Sequence, residues 1–175
     1  QKSIKSVLII DATGRKRAVL SNIGIQNINE DNTLSFTCHL PKRKHDRLKH
    51  DVFVESFKEG WGLVSGLGET HNVVSIFTHQ KSQIFNTVKH YSNWAEILSE
   101  TLYLKHSLVE KTDVKVFGKL SNSSRPQLIA DDRWLAVGDA ALAFDPLSSH
   151  GISNAIYTAN RAIHAIEERL ALLSG

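Results

Sequence analysis

The stretch Trp134-Leu135-Ala136-Val137-Gly138-Asp139-Ala140-Ala141-Leu142-Ala143-Phe144-Asp145-Pro146-Leu147-Ser148-Ser149-His150-Gly151-Ile152 decides the fold. Leu135-Ala136-Val137 is a short apolar run bounded by a glycine, the pattern of a buried strand. Gly138 lets the backbone turn closely beside a ligand or another strand. Asp139 leaves the C-terminal end of that strand, where open α/β sheets place their ligands. A carboxylate there is a good acceptor for ligand hydroxyls. Ala140 and Ala141 are small enough to let a large group approach. Pro146 restrains the loop that follows, and Ser148 and Ser149 read as helix caps. With Gly151 they leave free main-chain N–H groups at the start of a long helix, whose partial positive charge suits anionic or electron-rich groups. A strand ending in Gly-Asp is common, and Asp145-Pro146 alone is a turn with a cap. The weight lies in having both at this spacing between a strand and a long helix.

Outward from this stretch, the final helix is predicted to start near His150 or Gly151. Ile152, Ala155, Ile156, Ala159, Ile163, Ile166 and Leu170 are placed toward a core, with Glu167, Glu168 and Arg169 in water. Near the N-terminus, Val7-Leu8-Ile9-Ile10 reads as a buried strand running into Asp11-Ala12-Thr13-Gly14, a tight turn that needs glycine. Between these ends the pattern is strand-rich: 34–40, 52–57, and a hairpin of 61–67 with 73–78 around Gly68-Glu69-Thr70-His71-Asn72. Short connections imply antiparallel pairing. Ser92 or Asn93 is positioned to cap a helix, with Glu96 at capping-box spacing from Asn93 and an apolar face of Trp94, Ile97, Leu98, Thr101, Leu102 and Leu104. Residues 112–120 alternate as a strand, and 121–126 form a polar loop.

Composition narrows the function classes. The chain has 175 residues, 41% apolar and 22% charged, an ordinary globular balance. No apolar run is long enough to span a membrane, and no secretory signal is visible. The single Cys38 excludes an internal disulfide, fits a reducing cytoplasm, and reads as a small core residue. A net charge of +3 is too mild to argue for nucleic acid. The basic residues concentrate at 42–50, a solvated segment or a docking patch for an acidic partner; no aromatics are interleaved there for base stacking. The histidines are scattered, with no metal-ligand spacing, so no metal is expected. No Gly-x-Ser-x-Gly elbow supports a hydrolase. The chain contains no methionine, and it opens almost at once into a strand without a glycine-rich phosphate turn, so it reads as the C-terminal part of a longer protein.

Gly138-Asp139 followed by Asp145-Pro146 and Gly151 resembles the Gly-Asp motif and the Asp-Pro loop of the FAD-dependent monooxygenase and halogenase superfamily. The branch it most resembles contains tryptophan-halogenase-like proteins and the hydroxylases that mature quinone cofactors. Asp11-Ala12-Thr13-Gly14-Arg15 resembles that superfamily's Ala-Thr-Gly turn, and residues 55–67 resemble its strand pair around a Gly-Trp. The resemblance implies an α+β (α/β) fold: an antiparallel or mixed β-sheet substrate domain plus the C-terminal strand and helix of a Rossmann-like FAD-binding domain. It implies three segments: 1–17, the end of the FAD-binding domain; 18–128, the substrate domain; and 129–175, the Gly-Asp strand and last helix. It also implies FAD as cofactor, with Gly14, Gly138, Asp139, Asp145, Pro146, His150, Gly151 and Ile152 around it. Asp139 would receive the ribityl hydroxyls, and the amides of Gly151 and Ile152 would face the pyrimidine edge of the ring. His150 is either a polar helix-start residue or a group that tunes protonation. Trp61 either lines a substrate pocket or packs the hairpin.

The implied activity is monooxygenation or halogenation of an aromatic substrate, small or protein-borne, with a flavin reductase as a further partner. The catalytic residues are not identified. Alternatives are a flavin-dependent double-bond reductase of the same fold and a non-catalytic flavin-binding module.

Overall fold

The computed structural model describes residues 4–42, 52–110 and 113–174. The basic segment 43–50, with His45 and His50, and the expected strand start at Thr112 lie outside them. Two compact units form, one from residues 1–31 with 122–175 and the other from 32–121. Helices and mixed and antiparallel sheets together make an α+β fold.

The central unit is an antiparallel sheet of β3 (Thr33–Pro41), β4 (Val52–Phe57), β5 (Gly60–Leu67), β6 (His71–His79) and β7 (Phe117–Leu120), with β2 (Asn27–Asn29) belonging to the other unit. Its order is β4-β5-β6-β3-β7. The long β3/β6 pairing sets Phe36 opposite Ile76 and Cys38 opposite Val74. Side chains alternate across a strand, so one face gathers Phe36, Cys38, Leu40, Val64, Val74 and Ile76 into a core with Val88, Trp94, Leu98 and Leu104. Full burial of each large apolar side chain contributes about 1.5–3 kcal/mol. The Trp94 indole N–H donates to the Phe36 carbonyl at 3.0 Å, pinning α2 (Tyr91–Ser99) to β3. Cys38 is fully buried, as expected of a core residue.

Two details of this unit differ from the sequence expectation. The α2 helix begins earlier, at Tyr91, with extended His90 as its cap and no side-chain cap bond. Asn93 instead donates to the Thr87 carbonyl, so no capping box forms. Only 117–120 of the expected 112–120 strand pairs with β3, because residues 113–116 make no ladder.

The other unit holds a three-stranded sheet of β1 (Ile9–Asp11), β9 (Ala130–Asp131) and β10 (Trp134–Ala136). β10 lies parallel to β1 and antiparallel to β9. A second pair joins β2 to β8 (Ser124–Pro126), so the expected polar loop at 121–126 contains a strand. The core is Leu20 from α1 (Ala18–Asn22), Trp134, Ala136, Ala140 and Ala141.

The helix α3 (Gly151–Ser174) starts where expected. Its predicted core face does not hold: Ile152 is 80% and Ile156 60% exposed, and Ile163 and Leu170 are exposed too. The less exposed side carries Asn154, Thr158, Ala162, Ile166 and Arg169. The strand expected at 7–10 is observed as β1 at Ile9–Asp11, and Val7, Ile9 and Ile10 are exposed; among the described residues β1 pairs with β10 alone and lies at the sheet edge. Helical periodicity places the apolar residues of α3 on one face, and nothing among the described residues covers that face.

Candidate cofactor site

Two sharp turns of the first unit pack together: residues 14–16 after β1, and 138–140 after β10. Both need glycine for conformation. Gly14 has φ +69° and Gly138 has φ +58°, values that side-chain-bearing residues rarely adopt. At Gly138 an added Cβ would make only ordinary contact with Ala155 Cβ, at 3.5 Å. The glycine therefore serves the turn, which rests on α3. The Gly138 N–H donates to the Thr158 hydroxyl (2.7 Å), and the Asn154 amide donates to the Leu142 carbonyl (2.7 Å).

Three aspartates frame the site, and their partners separate their roles. Asp11 is fully buried and accepts four hydrogen bonds: from the Thr13 N–H (2.9 Å) and hydroxyl (2.6 Å), and from the N–H groups of Val19 (3.1 Å) and Leu20 (3.0 Å). Burial alone would raise its pKa, but these bonds outweigh burial and hold it below the ordinary carboxylate value. Asp145 accepts from the Ser148 N–H at 3.2 Å and so caps the single turn Pro146–Ser148.

Asp139 is different. Its side chain is 38% exposed, and its nearest partner is Arg15, whose Nε lies 3.7 Å from Oδ2. Among the described residues no protein donor bonds to either Asp139 oxygen. Its acceptor positions are therefore available to a ligand.

Two arginines brace the turns from behind. Arg15, 31% exposed, donates from its two terminal nitrogens to the carbonyls of Asn122 and Phe144. Arg17 is 2% exposed. Its Nε donates to the Ala140 carbonyl (2.9 Å), and Nη2 donates to the Ser124 carbonyl (2.8 Å) and hydroxyl (3.2 Å). Burial lowers the guanidinium's pKa and Arg15 adds to this, while Asp139 and Asp11 oppose it.

The predicted loop residues follow in order. His150 bonds the Ser148 carbonyl through Nδ1 (2.5 Å), and its ring lies 5.7 Å from that of Phe144. Ser149 adopts φ +56° just before α3. Ser148 bonds the Asp145 carbonyl instead of capping α3 (2.8 Å). Gly151 and Ile152 open α3 with exposed backbone, and the first N–H groups of a helix have no partner within it. In the other unit, Trp61 stacks on its cross-strand partner Phe77 with ring centroids 3.8 Å apart, a hairpin-packing role. Of the bracing set, Asp11 and Arg15 were legible in sequence only as the ends of the Asp11-Ala12-Thr13-Gly14-Arg15 turn, with no bracing role, and Arg17, Asn154 and Thr158 were not singled out. Only Asp11-x-Thr13, a local Asx-type turn pattern, carries a readable signal. Among the described residues no cluster of His, Cys, Asp and Glu could hold a metal ion, and no helix is long and apolar enough to cross a membrane.

No family model matches the chain. A putative FAD-dependent oxidoreductase, LodB, of Marinomonas mediterranea is 28% identical over 160 residues, covering 90% of this chain and 43% of that protein. The chain thus spans less than half the length of this curated relative. The fold is that of the flavin-dependent brominase Bmp2 (TM-score 0.72, 16% identity, all of this chain and 46% of that one). It is also similar to that of the peptidyl tryptophan dihydroxylase QhpG, essential for tryptophylquinone cofactor biogenesis (TM-score 0.67, 19% identity, 82% of this chain and 33% of that one). In sequence the chain is thus similar to an FAD-dependent oxidoreductase, and its fold is shared with a flavin-dependent brominase and a peptidyl tryptophan dihydroxylase.

Proposed function

We propose that this chain forms part of an FAD-dependent oxidoreductase that hydroxylates or halogenates an aromatic substrate, either a small molecule or a side chain borne on a protein. The observation that carries this reading is Asp139: a half-exposed carboxylate just after a parallel strand, with no hydrogen-bond donor among the described residues and a cation beside it. The residues fit a polyhydroxylated cofactor. Asp139 offers acceptors to the ribityl hydroxyls; Ala140 and Ala141, expected to leave room for a large group, are instead buried in the core beneath the turn. Gly14 and Gly138 give the two turns the positive φ each requires. Asp145 and Pro146 shape the loop toward α3. The first amides of α3, at Gly151 and Ile152, offer partial positive charge to an electron-rich ring edge, and His150 stands beside them as a polar group.

Bound FAD supplies the redox chemistry, with oxygen as the co-substrate. The protein's part is to bind, orient and electrostatically bias the cofactor. The name of the relative and the shared fold support an oxidoreductase. The dihydroxylase, which acts on peptidyl tryptophan, supports a protein-borne aromatic as one substrate form.

The test is to supply the protein with reduced FAD, oxygen and aromatic substrates, including a tryptophan-containing peptide, with and without bromide. Mass spectrometry should find the gain of one or two oxygen atoms, or of a halogen. Oxidation of the flavin with no change in any aromatic would favour the double-bond reductase or the binding-module reading.

A further inference from the structure

Arg15 joins three pieces of chain: the Asp139 turn and the two segments that meet at the Ser124/Ala143 bridge. Ser124 and Ala143 form an isolated antiparallel bridge, with N–H to carbonyl bonds of 2.8 Å in both directions. Just beyond it the two strands part. There the Asn122 and Phe144 carbonyls are spanned by the two terminal nitrogens of Arg15. The remaining nitrogen of the same guanidinium faces Asp139 Oδ2 at 3.7 Å. A planar fork with fixed donor directions can do this, whereas a lysine ammonium cannot span the two carbonyls in the same way. Phe144 is the residue immediately before the Asp145 loop, whose start is tied by the Asp145 N–H to the Ser123 hydroxyl (3.2 Å) and by turn bonds within 145–149, and whose end is tied at the His150 carbonyl to the Asn154 N–H of α3 (2.8 Å).

We infer that Arg15 is a positioning residue. It sets the Asp139 carboxylate and the start of the Asp145–Gly151 loop at a fixed separation, so that both engage one cofactor together. This inference rests on the flavin reading above, because it takes Asp139 and the loop to touch the same ligand. Arg15 itself need not touch it.

The test uses the full chain with three substitutions: Arg15→Gln, Arg15→Lys, which keeps the charge, and Arg125→Gln as a control. Arg125 makes only an exposed ion pair with Glu30. Two readouts are taken: amide hydrogen exchange of Asp145 and Ser148 without ligand, and titration with FAD followed by its absorption spectrum. Exchange at these amides should quicken at least about tenfold in both Arg15 variants and not in the control. The FAD dissociation constant should rise about tenfold, the equivalent of losing one charge-assisted hydrogen bond. The shoulder structure of the bound flavin's long-wavelength band should change as well, which a uniform loss of stability would not produce. Wild-type exchange rates in both Arg15 variants would overturn the inference, as would full rescue by Arg15→Lys. Faster exchange with unchanged FAD affinity and band shape would also overturn it. If the wild-type chain takes up no FAD, that outcome counts against the flavin reading, and the exchange rates alone decide whether Arg15 holds the loop.

Discussion

Replacing Asp11 with alanine should be among the most damaging single changes in the first unit. The carboxylate is fully buried and receives four donors. Thr13 is exposed, so its N–H and hydroxyl find water after the change, and only the modest net value of each bond is lost, about 0.5–1.5 kcal/mol apiece. The Leu20 N–H is buried and cannot be rehydrated; orphaning it costs about 1–3 kcal/mol. Val19 is partly buried and falls between. The expected loss is about 3–5 kcal/mol, near the top of the range for point mutants. For a chain of this size that lowers the melting midpoint by roughly 10 °C.

The same carboxylate gives stability a pH dependence. Its folded pKa lies below the unfolded value of about 3.9. The contribution is therefore complete above that value and is lost as pH falls from there through the lower folded pKa. Thermal unfolding of wild type and Asp11→Ala across pH 3–7 measures both effects. A loss under about 1 kcal/mol, or a difference between the proteins that does not shrink as pH falls, would refute the assignment.

Three further outcomes follow from the rest of the chain. Glu55 accepts from the N–H groups of Leu102 (2.5 Å), Tyr103 (2.9 Å) and Leu104 (3.2 Å), and these bonds outweigh burial to lower its pKa. Glu55→Gln should cost about 1–2 kcal/mol in denaturant titrations, with the wild-type advantage fading as pH falls below the ordinary glutamate value. Cys38 is buried and its thiol is pushed up to about 12, so the native protein should react with a thiol reagent only as fast as it opens, and unfolding should release the full reaction. Ile156→Gln on the exposed face of α3 should change the stability of this chain by no more than about 0.5 kcal/mol; a loss of several times that would mean that the face is covered.

What sequence made legible was local. The hairpin of β5 and β6 follows from strand alternation and a Gly-rich turn, and the α3 start from the Pro146 loop and Gly151, although the two serines do not cap it as expected. The Gly138 turn follows from a strand ending in Gly-Asp, and its positive φ supplies the reason for glycine. What stayed hidden is non-local. Arg15 and Arg17 reach carbonyls more than a hundred residues away in sequence, and a long side chain leaves no periodic trace of its destination. The apolar rows on α3 and β1 were legible as rows, but whether anything lies against them is a tertiary fact. The expected divisions at residues 17/18 and 128/129 were read from motif positions, whereas the compact units divide at 31/32 and 121/122, following the β2/β8 pairing of distant segments.

The central claim is that the Asp139 carboxylate holds FAD, and the most direct measurement is equilibrium binding of FAD to the wild-type chain and to Asp139→Asn. The substitution keeps the shape of the side chain, removes its charge and replaces one of its two acceptor oxygens with an NH2 donor. Saturable binding by the wild type, weakened at least about tenfold in the variant with folding intact, is the predicted result. Equal uptake by the two proteins, or none by either, would contradict the account.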